Sequence, residues 1–162
     1  MEHAPRLDRI ALVVDDDVFI VSAMAELLEE DGYDVHTASN GFSAQRLVNE
    51  LRPAVLLLDL ALPERSGLEL LRDLRADPGT REMAIVIVTG YPERLSEAQV
   101  ADIDGLVAKP FDVADLSNTL YRAVQRAASR RSEVAPVAHT GHPPLMARPR
   151  RITSPRRSHG RR

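Results

Sequence analysis

Carboxylates gather at two places in this chain, and each place follows a run of apolar residues. Asp15, Asp16 and Asp17 come directly after Ile10–Val14 (IALVV), and Asp59 comes directly after Ala54–Leu58 (AVLLL). A hydroxyl, Thr89, closes a third run, Ala84–Val88 (AIVIV), and is followed by Gly90. An ammonium, Lys109, follows a fourth, Leu106–Ala108, and precedes Pro110. Several carboxylates within a few ångströms of one another cannot all stay ionised without a counter-charge. A hard divalent cation is the natural one, held by a few carboxylates, a backbone carbonyl and water at about 2.1 Å. There is no Gly-rich phosphate loop and no histidine beside these groups. Metal-binding acids with one hydroxyl and one ammonium suit phosphoryl transfer. The cation and the lysine neutralise phosphoryl oxygens while a carboxylate attacks.

For this chemistry the four groups must meet, and the elements between them say how. The first three runs do not alternate with polar residues. Strands apolar on both sides are buried on both faces, which favours a parallel sheet covered by helices. Between the runs lie helical spacings. Ala44, Leu47, Val48 and Leu51 follow i, i+3, i+4, i+7, and Val113, Leu116, Leu120, Ala123, Val124 and Ala127 continue that pattern over four turns. Ser66 and Glu69 predict a capping box, and Asp112 an N-cap for the last helix. Val35 and Thr37, after the Asp31-Gly32 turn, predict a more polar edge strand.

The reading is strand 10–14, helix 18–30, strand 34–38, helix 41–51, strand 54–58, helix 67–76, strand 84–88, a thin helix 94–101, strand 105–108 and helix 112–128. Alternating strands and helices predict an α/β fold: a doubly wound parallel sheet with right-handed crossovers and helices on both faces. Ligands of such sheets bind at the carboxyl ends of the strands, where the strand order reverses. With order 2-1-3-4-5, strands one and three are neighbours. Asp15, Asp16 and Asp59 then converge, with Thr89 and Lys109 on the rim.

Composition narrows the class. The chain has 162 residues and no Cys, which excludes a disulfide scaffold and any Cys-based metal or redox site. No apolar run approaches the roughly 20 residues of a membrane span. The first residues lack the basic-then-apolar design of a signal peptide, so a cytoplasmic protein is expected. The net charge of -3 hides a split. Residues 129–162 carry nine Arg against Glu133, a net of +8, while residues 1–128 carry 12 basic and 23 acidic groups, a net of -11. Five Pro and few large apolar side chains mark 129–162 as a disordered basic tail. The expected organisation is an N-terminal arm 1–7, a body 8–128 and the tail.

Four motifs then carry a resemblance: VVDDD (Val13–Asp17), LLLDLALPERSGLELL (Leu56–Leu71), IVIVTG (Ile85–Gly90) and AKPF (Ala108–Phe111). The sequence resembles the receiver domain of bacterial two-component response regulators over about residues 8–128, in its stand-alone form. The resemblance implies a flavodoxin-like sheet of five strands. Asp59 would be the phosphoacceptor, with Thr89 and Lys109 on the phosphoryl group. Asp16, Asp59 and the backbone carbonyl of Ala61 would bind Mg²⁺, with Asp15 acting through a metal-bound water. Partners would be a sensor histidine kinase or phosphotransfer protein and a downstream protein target. Such a domain is no enzyme in the ordinary sense, although it promotes its own phosphotransfer and dephosphorylation. Receivers commonly carry Tyr or Phe three positions before the lysine, where this chain has Leu106. The stretch from Thr89 to Lys109 is also short for the family. Both departures fall on the usual output face.

Single residues admit plainer readings. Lys109 is the one lysine among 21 basic residues, the other 20 being Arg. A compact ammonium and a planar fork are not interchangeable at a crowded oxyanion site. Asp17 reads as a cap or exposed acid, His36 as exposed on an edge strand, Tyr91 and Tyr121 as packing residues and Leu106 as core. Other readings of the whole chain are a docking module independent of phosphate, a Mg²⁺-dependent phosphohydrolase, and non-specific nucleic-acid binding through the tail.

Overall fold

The computed structural model describes residues 9–134, and all four apolar runs lie in strands except Ala54, which precedes its strand by one residue. In chain order the elements are β1 (Ile10–Val14), α1 (Val18–Glu30), β2 (Asp34–Ala38), α2 (Gly41–Leu51), β3 (Val55–Leu58), α3 (Gly67–Ala76) and β4 (Ala84–Thr89). A single 3-10 turn (Pro92–Arg94), α4 (Glu97–Asp102), β5 (Gly105–Ala108) and α5 (Val113–Val134) complete them. The sheet has five parallel strands in the order β2-β1-β3-β4-β5. The expected α/β architecture is therefore the observed one.

Burial on both faces explains the unbroken apolar runs. Every residue of β3 and β4 is buried, as are the last four of β1. Alternate residues serve opposite layers, as the pleat requires. Ala11, Val13, Val55, Leu57, Val86 and Val88 pack with Met24, Leu27 and Leu28 of α1 and Leu116 and Leu120 of α5. Leu12, Val14, Leu56, Leu58, Ile85 and Ile87 pack with Ala44 and Val48 of α2 and Leu70, Leu71 and Leu74 of α3. Each Leu or Ile buried in this way contributes about 1.5–3 kcal/mol relative to exposure.

Local signals place the helix starts. Asp17 caps α1 by accepting from the N–H groups of Phe19 and Ile20. Ser66 and Glu69 form a reciprocal capping box at α3, and Asp112 accepts from the Asp115 N–H at the start of α5. Gly32, with φ of 84°, supplies the left-handed turn that takes the chain from α1 into β2.

Four expectations need correction. The thin helix 94–101 is instead the 3-10 turn at Pro92–Arg94 and a six-residue α4, opened by a Ser96–Gln99 capping box and burying none of its residues. Tyr91 and Tyr121 are exposed rather than packed, and Leu106, expected in the core, is 37% exposed. Leu106 lies on β5, at the edge of the sheet among the described residues, and the preceding α4 is short and buries none of its own residues. The last helix runs to Val134, past the expected boundary at 128. Its extension is held by Arg130, which pairs with the buried carboxylate of Asp104. The expected arm 1–7 and the remainder of the tail, 135–162, lie outside the described residues. No helix among the described residues is long and apolar enough to cross a membrane.

Candidate functional site

β1 and β3 are adjacent and in register, with Val14 beside Leu58. Their carboxyl ends therefore deliver Asp15, Asp16 and Asp59 to one place. One carboxylate oxygen from each lies within 4.8 Å of the others. Asp15 and Asp59 are buried, whereas Asp16 is exposed. Backbone bonds fix the two strand ends: the Asp15 N–H donates to the Ala38 carbonyl and the Asp59 N–H to the Val14 carbonyl. Asp15 Oδ1 also accepts from the Asp17 N–H at 2.9 Å, and Asp59 Oδ1 from the Ala61 N–H at 3.2 Å. Among the sequence-predicted acids, Asp17 points elsewhere and serves as the cap of α1.

Lys109 enters from the end of β5. Its Nζ donates to Asp15 Oδ2 at 2.5 Å and to Asp59 Oδ2 at 3.1 Å. These bonds join groups 94 and 50 residues away in sequence. Burial pushes the Asp15 carboxyl above its ordinary value, although hydrogen bonds from Lys109 and the Asp17 N–H oppose the rise. Burial alone would lower the Lys109 ammonium, but its bonds to Asp15 and Asp59 and their negative charge raise it instead. The Lys109-Pro110 peptide bond is cis.

Thr89 ends β4 and is paired with Ala108 of β5, one residue before Lys109. The residue is fully buried, and its Oγ1 accepts from the Tyr91 N–H at 3.2 Å. Gly67 shapes the loop after Asp59. A Cβ there would sit 2.2 Å from the Asp59 carbonyl oxygen and 2.8 Å from the Leu60 Cα, so only glycine fits. His36 is half-exposed and lies 3.5 Å from Asp34 on β2, apart from these groups.

The donor set fits a hard divalent cation. Three carboxylates converge, two of them buried, and one ammonium offsets only part of their charge. A groove of about 550 Å³ runs beside Asp15 and Asp16 between α1 and α2, and of the three acids Asp16 is the exposed one.

At the opposite end of the sheet the fold holds a second ionic cluster that sequence reading missed. The buried Asp104 carboxylate, just before β5, accepts from Arg75 of α3, Arg130 of α5 and the Ile85 N–H. The Arg75 guanidinium also donates to the carbonyls of Arg81, Met83 and Asp102. Its partners lie 26 and 29 residues from Asp104, so no local pattern announces them. This cluster ties α3, β4, β5 and α5 together and stands apart from the strand ends that carry the acids.

A doubly wound sheet with acids, hydroxyl and ammonium at its carboxyl ends defines a class of phosphoryl-handling signalling domains. The sequence comparisons narrow it: a family model for the response regulator receiver domain matches residues 11–121, and the chain belongs to that family. It is 34% identical over 129 residues to the DNA-binding dual master transcriptional regulator RpaA of Synechocystis, covering 78% of this chain and 52% of that protein. It is 28% identical over 116 residues to the polar-differentiation response regulator DivK of Brucella anthropi, covering 70% of this chain and 94% of DivK. The crystal structure of the response regulator TrrA from Thermotoga maritima, in complex with Mg²⁺-BeF, superposes with a TM-score of 0.64 at 29% identity. That match covers 71% of this chain and 98% of TrrA. The chain spans about half the length of the first of these relatives and of several other curated regulators.

Proposed function

We propose that this domain is a phosphorylation-controlled switch that accepts a phosphoryl group on Asp59. One observation carries the reading. The Lys109 ammonium bridges Asp15 and Asp59 while Asp16 shares their 4.8 Å cluster. The phosphoryl donor is a phosphohistidine of a sensor kinase or phosphotransfer protein. A carboxylate oxygen of Asp59 attacks phosphorus, the P–N bond breaks, and its electron pair stays on the imidazole nitrogen. The product is an acyl phosphate.

Each residue has a part that its position supports. The Ala61 N–H holds the Asp59 carboxylate in place through Oδ1. Lys109 already touches Asp59 Oδ2, so it meets a phosphoryl oxygen attached there with little movement. The Thr89 hydroxyl supplies a neutral donor to a second phosphoryl oxygen. Asp15, Asp16, Asp59 and the Ala61 carbonyl would hold Mg²⁺, which neutralises phosphoryl oxygens when bound. The chain turns over only its own acyl phosphate: water later attacks phosphorus, and inorganic phosphate leaves Asp59 free. Phosphorylation adds about -1.5 to -2 of charge, and a downstream protein in the cytoplasm reads the result.

The test is incubation with a small acyl-phosphate donor and Mg²⁺. One acid-stable, base-labile phosphoryl group should appear, and it should be absent from Asp59→Asn. Retention of the label in that variant would overturn the assignment.

A further inference from the structure

The position that receivers commonly fill with an aromatic ring, three residues before the lysine, is here Leu106, partly exposed on edge strand β5. Another aromatic lies closer to Thr89 along the chain. The Tyr91 N–H donates to Thr89 Oγ1, and the Tyr91 ring is 46% exposed. The Arg94 guanidinium carbon lies 4.2 Å from the centre of that ring. The Arg94 N–H donates to the Tyr91 carbonyl at 3.1 Å, so ring and cation are tied by backbone as well as by stacking.

This segment has little to hold it still. At Gly90 even an added Cβ would meet nothing within 4 Å. The 3-10 turn Pro92–Arg94 and α4 contain no buried residue. Segments with few buried contacts and exposed backbone bonds lie at the low-stability end of a fold. A cation–aromatic contact at an exposed site is weak enough to rearrange with such a segment.

We propose that Tyr91 positions the Thr89 hydroxyl, and that the Tyr91–Arg94 pair takes the place of an aromatic at 106 in reporting phosphorylation of Asp59 at the surface. This rests on Asp59 being the phosphoacceptor. When Thr89 turns its hydroxyl toward the phosphoryl group, its oxygen leaves the Tyr91 N–H. A partly buried N–H without an acceptor is costly, so the segment opens to water. Tyr91 and Arg94 move together because the Arg94 N–H is bonded to the Tyr91 carbonyl. The surface then presents a different face to the downstream protein. Tyr91 acts through Thr89 and is a positioning residue, with no contact to the phosphoryl group.

The chain has no tryptophan, so Tyr91→Trp places a single indole emitter at this point. The full chain is incubated with a small acyl-phosphate donor and Mg²⁺, and the phosphorylated fraction is measured by mass in the same samples. Indole emission from the Tyr91→Trp chain should change in proportion to that fraction, while Tyr121→Trp, on α5, should not respond. In the unsubstituted chain, exchange of the Tyr91 amide should speed up at least about fivefold on phosphorylation, the factor implied by losing an ordinary hydrogen bond. If Tyr91→Trp disturbs folding, the amide measurement decides alone. An unchanged Tyr91 amide in chains whose Asp59 carries phosphate would overturn the inference and leave the phosphoacceptor reading intact. Absence of phosphate on Asp59 would overturn both.

Discussion

Replacing Lys109 with Met removes the one ammonium that touches Asp15 and Asp59 while keeping most of the buried stem. The Asp15 side chain has no exposure and that of Asp59 only 7%. At an effective dielectric of about 20, a unit-charge pair at 3.1 Å attracts by about 5 kcal/mol, most of which offsets desolvation. Removing one partner of a buried pair costs about 3–5 kcal/mol. Lys109 is itself 20% exposed, so the low end applies, about 3 kcal/mol at pH 7.5 without metal. The sign of the pH dependence follows from Asp15. Its carboxyl sits above the ordinary 3.8 even with Lys109 present, because of burial. A carboxyl whose folded pKa is raised favours the fold when protonated, and that contribution is lost as pH rises through the folded value. Without Lys109 the folded value climbs further. The deficit should therefore grow with pH, by up to about 1.4 kcal/mol per unit while Asp15 is protonated only in the folded chain. Urea unfolding in EDTA at pH 5 and pH 7.5 measures it. The deficit at pH 5 should be smaller by about 1–3 kcal/mol. A deficit below about 1 kcal/mol at pH 7.5, or an equal one at both pH values, would refute the reasoning.

Three further consequences are open to measurement. Gly67→Ala forces a Cβ against the backbone of Asp59 and Leu60, which cannot swing aside. It should cost about 2–3 kcal/mol in denaturant unfolding, and an unchanged midpoint would contradict the close approach. A chain ending at residue 128 loses Arg130 and with it one partner of the buried Asp104 carboxylate. It should unfold at lower urea than a chain ending at 134, by about 1–3 kcal/mol, and equal midpoints would place the boundary at 128 after all. Asp17→Ala removes the acceptor for the Phe19 and Ile20 N–H groups. The expected loss is about 1 kcal/mol, and any loss of cation affinity beyond that of a neutral surface change would show that Asp17 does more than cap α1.

Much of this molecule is legible in one dimension because its signals are local. The doubly apolar runs at Ile10–Val14, Ala84–Val88 and their neighbours announce buried parallel strands, and the same pattern places chemistry-bearing residues at their carboxyl ends. Capping residues announce helix starts, as Ser66 with Glu69 and Asp112 do here. The thin helix after Thr89 escapes such reading because its start depends on a Ser96–Gln99 box followed by a very short run, with no apolar stripe to fix its length. The end of the last helix escapes it because Ser129, Arg130 and Arg131 look like the basic tail beyond them. What makes them helical is a carboxylate 26 residues earlier.

From the sequence alone came the layered α/β class, the strand ends and the set of acids, hydroxyl and ammonium that meet there. Those follow from periodicity, apolar runs and residue chemistry, all short-range properties of the chain. Only the tertiary structure decided how Lys109 divides itself between Asp15 and Asp59, and that Asp104 locks α5 to the sheet. It alone decided that Leu106 is left partly exposed. These depend on distances between residues far apart in sequence and on which side of an edge strand meets solvent. Local composition carries no record of either.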